Sequence, residues 1–318
     1  MTADSEKLDE ILQKLERIQK KLKISTDPNK EKTITDFISS LESYQKFARD
    51  DLNLQKITIR NHKSAILSFL KFSKGIINKQ TVEEYLDSNE SKSWKSNQLK
   101  ALRRYIRDFL KLGIWIEQEF QFSEKKDSLK QDVPSNEQLT QFCLALDDFQ
   151  TQLIFLILLN SGLREGEILS LSYKNIDFET NRIDSREAHG GKTKLSWLSF
   201  VTRQTADCLN AWVSSDVFEE ELNEDTKLFD ISPRTLQQKF KDTSKNTGIF
   251  INPHLLRTVF AERCRDAEIE KEYIQAFQGR KPRGVLEANY TVYGPKSLKK
   301  QYEKVESKLI LDLPSIDT

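Results

Sequence analysis

Leu153-Ile154-Phe155-Leu156-Ile157-Leu158-Leu159-Asn160-Ser161-Gly162-Leu163-Arg164-Glu165-Gly166-Glu167-Ile168 decides how the second half of this chain is read. The apolar run is too short to span a bilayer and too uniform for a helix with one wet face, so it predicts a helix buried on all sides. Gly162 is placed to end it. An arginine then stands just past a core helix, where a guanidinium needs a partner. Glu167 is one candidate and a phosphate is another, and this segment alone leaves both open.

Working outward, Pro134, Ser135 and Gln138 form a capping-box signature ahead of Leu139, Phe142 and Leu146, so a helix begins there. The polar stretch before it, 123–133, reads as a linker. Downstream, 181–184 and 197–201 alternate like short strands, with His189-Gly190-Gly191 as the turn between them. Helical spacing returns over 202–213, 232–243, 253–265, 271–277 and 296–309. The expected fold class is mainly α with a small antiparallel β-sheet: an all-α domain followed by an α+β domain.

The N-terminal half is read as helical throughout. Phe37, Leu41, Tyr44 and Phe47, then Ile59, Ile66, Phe69 and Leu70, then Val82, Tyr85 and Leu86, then Leu99, Leu102, Ile106 and Phe109 recur at helical spacing. Four helices result, with Thr58 and Thr81 as expected N-caps and Gly75 and Gly113 as expected stops. Residues 5–24 carry a short heptad seam of Leu8, Ile11, Leu15, Ile18 and Leu22, suited to an amphipathic helix folded back on its own chain or to helix pairing between subunits. The expected organisation is therefore 1–32 as an amphipathic helix and linker, 33–122 as a helical domain, 123–133 as a linker and 134–318 as a second domain ending in a C-terminal helix.

The net charge of +1 hides an uneven distribution. Between Lys56 and Lys111 there are thirteen lysines and arginines against five acids, an electrostatic footprint suited to nucleic acid. Arg60, Lys63, Lys100, Arg103, Arg104 and Arg107 are the candidates for DNA contact, as long cations that meet phosphates without reading bases. Cys143, Cys208 and Cys264 are odd in number and widely spaced, and His62, His189 and His254 lack metal-ligand spacing, so neither disulfide nor metal site is expected. No phosphate-binding glycine loop, signal-like N-terminus or membrane-length apolar run is present, and a cytoplasmic protein without cofactor is expected.

The segment Gly162-Leu163-Arg164-Glu165-Gly166-Glu167 resembles the first arginine box of tyrosine recombinases, roughly T-G-x-R-x-x-E-L-x-x-L. Pro253-His254-Leu255-Leu256-Arg257-Thr258-Val259-Phe260-Ala261 is similar to their second, P-H-x-L-R-x-x-F-A, with His254 and Arg257 expected on one helix face. In Gln278-Gly279-Arg280-Lys281-Pro282 running on to Tyr290, Arg280 stands where the family usually has histidine, a departure that resembles integrases of archaeal viruses and plasmids. Lys192 or Lys194, after Gly190-Gly191, matches the family's hairpin lysine.

The resemblance implies a site-specific DNA recombinase or integrase, inserting or excising a mobile element. Its catalytic residues would be Arg164, Lys192, His254, Arg257, Arg280 and Tyr290, with Tyr293 the alternative nucleophile and Lys194 the alternative acid. Fixed cations suit that chemistry, because in-line attack gathers charge on the non-bridging phosphate oxygens. Double-stranded DNA recombination sites would be the partner, bound by four subunits on two sites, and the helix at 296–309 could dock on a neighbouring subunit. Two other readings stand beside this one: a type IB topoisomerase, and a non-catalytic DNA-binding protein of the same fold.

Overall fold

A computed structural model describes residues 34–112, 133–185, 198–218, 222–280 and 294–314. The chain divides into two units, Met1–Ser128 and Leu129–Thr318. The heptad seam at 5–24, the stop at Gly113 and the turn His189-Gly190-Gly191 lie outside the described residues.

In the first unit, α1 (Ile34–Asp50), α2 (Lys56–Phe72), α3 (Lys79–Asp87) and α4 (Lys92–Arg103) pack around one core. Leu41, Tyr44, Ile66, Phe69, Leu86, Leu102 and Ile106 fill it. The caps differ from expectation. Asn78, not Thr81, is the N-cap of α3: its side chain accepts from the Thr81 backbone N–H while Thr81 Oγ1 takes the Asn78 N–H in return. Thr58 lies inside α2, which Gln55 precedes without a side-chain cap bond. Gly75, at φ 79°, returns its N–H to Leu70 O just beyond the end of α2. The chain beyond α4 continues as a π-helical turn, Arg104–Phe109, where one α-helix was expected. His62 shares a 2.7 Å hydrogen bond with Tyr44 Oη in the wall of this core.

The second unit is organised on α6 (Phe149–Ser161), which follows α5 (Asn136–Leu144). Ser135 caps α5 through the expected reciprocal box with Gln138. Asp148 caps α6, accepting from Thr151 N and Thr151 Oγ1. From Leu153 to Ser161 every residue of α6 is buried, as its uniform apolar run requires.

After the short α7 (Glu165–Ile168) comes a three-stranded antiparallel sheet, β1 (Ile176–Asp177), β2 (Arg182–Asp184) and β3 (Leu198–Phe200), in that spatial order. Ile183 pairs with Ile176 on one side and Ser199 on the other. The two-residue β1 is too short to show an alternation in sequence. Helices α8 (Arg203–Val213), α9 (Pro233–Thr247), α10 (Pro253–Asp266) and α11 (Lys271–Phe277) follow, and α10 packs along α6. Helix α9 runs four residues past its expected end and stops at Gly248, φ 72°. All three cysteines are free and buried.

The terminal helix expected at 296–309 is broken in two, α12 (Pro295–Glu303) and α13 (Glu306–Leu309), and it packs within its own unit. Leu298, Tyr302, Val305 and Leu309 are buried in one cluster with Phe200, Phe260 and Phe277, so its apolar face is already covered. Asn160 fastens this end of the chain to α6. Its Oδ1 accepts from Thr202 N, Thr202 Oγ1 and Thr205 Oγ1, its Nδ2 donates to Leu309 O, and its carbonyl accepts from Tyr302 Oη.

Two glycines separate backbone strain from steric exclusion. Gly162, at φ 64°, ends α6, and a Cβ there would lie 2.4 Å from the Phe260 ring; Gly248 has a similar φ with nothing within 4 Å. Gly248→Ala should therefore cost about 1 kcal/mol, from conformation alone. Gly162→Ala, which adds a clash in a packed core, should cost roughly 2–4 kcal/mol. Urea denaturation of the two variants checks this, and equal losses would mean that Phe260 yields freely.

Candidate functional site

The site begins with the geometry of two helix ends. Gly162 is the C-cap of α6 and Gln278 that of α11, and carbonyls at such ends lack intrahelical partners and carry partial negative charge. Arg257, on α10, reaches both: its Nη1 donates to Gly162 O at 2.5 Å and its Nη2 to Gln278 O. Arg257 is only 4% exposed. A guanidinium has five N–H groups, so these two bonds leave others for an anion.

Arg164 occupies the position before α7. Glu167, 1% exposed, accepts from Arg164 N at 2.7 Å and from Arg164 Nη1 at 2.6 Å, fixing backbone and side chain together. A long contact of 3.5 Å links Arg164 Nη2 to Gly279 O. The sequence left open whether Glu167 or an anion partners Arg164; the carboxylate takes one edge of the guanidinium and leaves the side chain a quarter exposed.

Arg280 follows directly in the turn Gln278-Gly279-Arg280, is exposed, and donates its N–H to Gln275 O at 2.9 Å. Burial, then the charges of Arg164 and Arg280, lower the Arg257 pKa to about 9, against the opposing pull of Glu167. Arg257 remains a cation at neutral pH. The charges of Arg164 and Arg280 thus act on Arg257 beside one buried carboxylate, an excess of positive charge that an anion would relieve.

His254 lies in the first turn of α10, exposed, where the N-cap Asn252 accepts from Leu255 N. It does not share the environment of Arg257, although the two are three residues apart. The longer arginine turns inward to the helix ends while the imidazole stays at the surface. Lys192, Lys194, Tyr290 and Tyr293 lie outside the described residues. β2 and β3 flank the segment that contains Lys192, and α12 begins two residues after Tyr293.

Sequence reasoning passed over Gln278. It is 3% exposed, and its Nε2 donates to Arg257 O at 3.0 Å. Its place in Gln278-Gly279-Arg280 was the signal, but that segment gave the amide no role.

In the first unit, Arg60, Lys100 and Arg104 are exposed, and Lys63, Arg103 and Arg107 are half-buried. Arg104 Nη1 and Arg107 Nε both donate to Asp108, at 2.8 and 2.6 Å. Burial alone would raise the Asp108 pKa, but the bonds from Arg107 and Arg104 hold it below the usual carboxylate value. Among the described residues no helix is long and apolar enough to cross a membrane, and no group of acidic, histidine or cysteine side chains is placed to hold a metal.

The second unit is mostly helical with a short antiparallel sheet, and it gathers guanidinium groups at the ends of two helices. The chain belongs to the phage integrase family, whose model matches residues 132–291.

The tyrosine recombinase XerA of Saccharolobus solfataricus is 30% identical over 176 residues, covering 55% of this chain and 56% of that protein. XerA of Pyrococcus furiosus is 27% identical over 167 residues, covering 50% and 55% respectively. The chain spans about half the length of the curated relatives it matches. Among solved structures, the integrase of the Tn1549 transposon, in complex with circular intermediate DNA, aligns with a TM-score of 0.60 at 15% identity, over 83% of this chain and 97% of that one. A lambda integrase dimer bound to a core site gives 0.58 at 14%, over 88% and 99%. These two show the fold.

Removing the buried carboxylate should be costly, because it leaves Arg164 half-paired beside Arg257. Glu167→Gln is expected to lower stability by roughly 3–5 kcal/mol. Added inorganic phosphate should recover part of that loss if the cluster binds anions. Denaturation with and without phosphate reads both effects, and wild-type stability in the variant would show that Glu167 does not hold the cluster together.

Proposed function

We propose that this chain is a site-specific DNA recombinase that cleaves and rejoins strands through a 3′-phosphotyrosine. The observation that carries this reading is the meeting of Arg164, Arg257 and Arg280 around the helix ends of α6 and α11, with N–H groups left over for a phosphate. The family's curated relatives, named tyrosine recombinases, point the same way.

In this reading Arg164 and Arg257 take the non-bridging oxygens of the scissile phosphate, and His254 and Arg280 add hydrogen bonds at its rim. Tyr290 attacks the phosphorus through its phenolic oxygen as the bond to the 5′ oxygen breaks, while Lys192 supplies that oxygen with a proton. A tyrosine hydroxyl is a weak nucleophile at neutral pH, and the surrounding guanidinium charge favours its phenolate. The covalent link conserves the bond energy, so a 5′-hydroxyl from a second duplex reverses the step without ATP. Four subunits on two duplexes, and a mobile element as the thing moved, complete the proposal.

The test is capture. Incubated with nicked duplexes of randomised sequence, the wild-type chain should form an adduct that survives detergent, with Tyr290 as the modified residue. Tyr290→Phe should bind the recovered duplex and form none. Arg164→Ala and Arg257→Ala should each slow capture by roughly 100- to 1000-fold. An adduct on Tyr293 would move the nucleophile by three residues, and no adduct from folded wild-type protein would overturn the reading.

The helical unit would supply sequence-independent grip. Arg103→Ala and Arg107→Ala should each reduce the slope of log affinity against log salt by about 0.9, on random and recovered duplex alike. Asp108→Asn should do the opposite, because it releases Arg104 and Arg107 from an internal competitor for their donors. Titrations at several salt concentrations decide: unchanged slopes would assign these residues to a solvated face, and a loss confined to the recovered duplex would make them base readers.

A further inference from the structure

The turn that follows α11 meets Arg257 and Arg164 through its carbonyls, and one side chain in it has no structural need to be polar. Gln278 is 3% exposed, and beside the buried Ile274, Ala276 and Phe277 a leucine would bury more apolar surface with no amide to desolvate. Its Nε2 donates to Arg257 O at 3.0 Å, yet that carbonyl lies inside α10, where helical geometry already gives it the Ala261 N–H. The bond is therefore additional to what the helix requires.

What it does is close a reciprocal bridge. Arg257 donates from its side chain to the backbone of residue 278, and Gln278 donates from its side chain to the backbone of residue 257. The two bonds share a ring of covalent and hydrogen-bonded atoms, so neither end can swing without breaking the other. The turn is otherwise fixed by Gly279 N on Ala276 O and Arg280 N on Gln275 O, with Gly279 at φ 57°. The carbonyls of Gln278 and Gly279 face Arg257 and Arg164 from a turn that the Gln278 amide ties to α10.

We propose that Gln278 is a positioning residue for phosphoryl transfer, aiming the Arg257 guanidinium by locking the turn after α11 to α10. This rests on the recombinase reading above. Gln278 touches no reacting atom in it; it acts through Arg257.

Gln278→Met keeps the length of the side chain and removes the donor, with Gln278→Leu as the second variant should the thioether pack badly. With the nicked duplex recovered by wild-type capture, at saturating DNA, the variant should bind with unchanged Kd and form the covalent adduct roughly 10- to 100-fold more slowly, the penalty of a misaimed group rather than a missing one. A second readout needs no catalysis. In nitrogen-15 spectra of arginine side chains, the signal absent from Arg257→Lys belongs to Arg257, and the wild-type guanidinium should show hindered rotation that the variant loses.

Capture by the variant at the wild-type rate would overturn the inference. So would slowing with an unaltered Arg257 signal, since the effect would not then pass through Arg257. No adduct from the wild-type chain is a different failure, which overturns the recombinase reading and takes this inference with it.

Discussion

A guanidinium that is almost wholly buried must be met by acceptors or remain a large energetic liability, and the second unit is built around meeting that demand at Arg257. The acceptors come from helix ends. Helix α6 stops in a left-handed glycine so that Gly162 O points away from the helix, and α11 ends at Phe277, two residues before the left-handed Gly279, so that Gln278 O does the same. Each carbonyl is an orphan by helix geometry and sits at the negative end of its helix, so the cation satisfies groups that would otherwise lack partners. Phe260 closes over Gly162 from the same helix that carries Arg257, which ties the core packing to the polar arrangement.

Glu167 solves the matching problem for Arg164. One carboxylate accepts from the backbone and the side chain of the same residue, so the loop after α6 and the direction of the guanidinium are set together. Arg164 and Arg280 both weigh on Arg257, and Glu167 offsets part of that positive charge. The same logic runs in reverse on the first unit, where Asp108 draws Arg104 and Arg107 together and reduces the charge they present outward.

Much of this was legible in the residues. The uniform apolar run of α6 and the Ser135 capping box each state a physical requirement that neighbouring sequence meets, and the two arginine boxes were legible through a family resemblance. What escaped reading depends on contacts distant in sequence. Gln278 looks like any surface amide until Arg257, 21 residues away, is brought to it. His254 and Arg257, three residues apart on α10, differ in exposure, which their spacing alone did not show. The final helix gave no hint of its break or of the cluster that buries Leu298 and Tyr302. Thr81 was read as the N-cap in place of Asn78 because either end of a reciprocal pair fits the same spacing.

Asn160 gives the C-terminal segment a standing that its position in the chain would not suggest. Through one side chain and one carbonyl it joins α6 to Thr202 and Thr205 at the start of α8, to Tyr302 on α12 and to Leu309 on α13. All of these partners are buried, so releasing α13 exposes an amide whose other bonds hold the helix that delivers Arg164. Chain ends usually open at little free-energy cost and independently of the core. Here α13 is bonded to the helix that precedes Arg164 and buried in a cluster of the second unit, so its opening disturbs that unit's core.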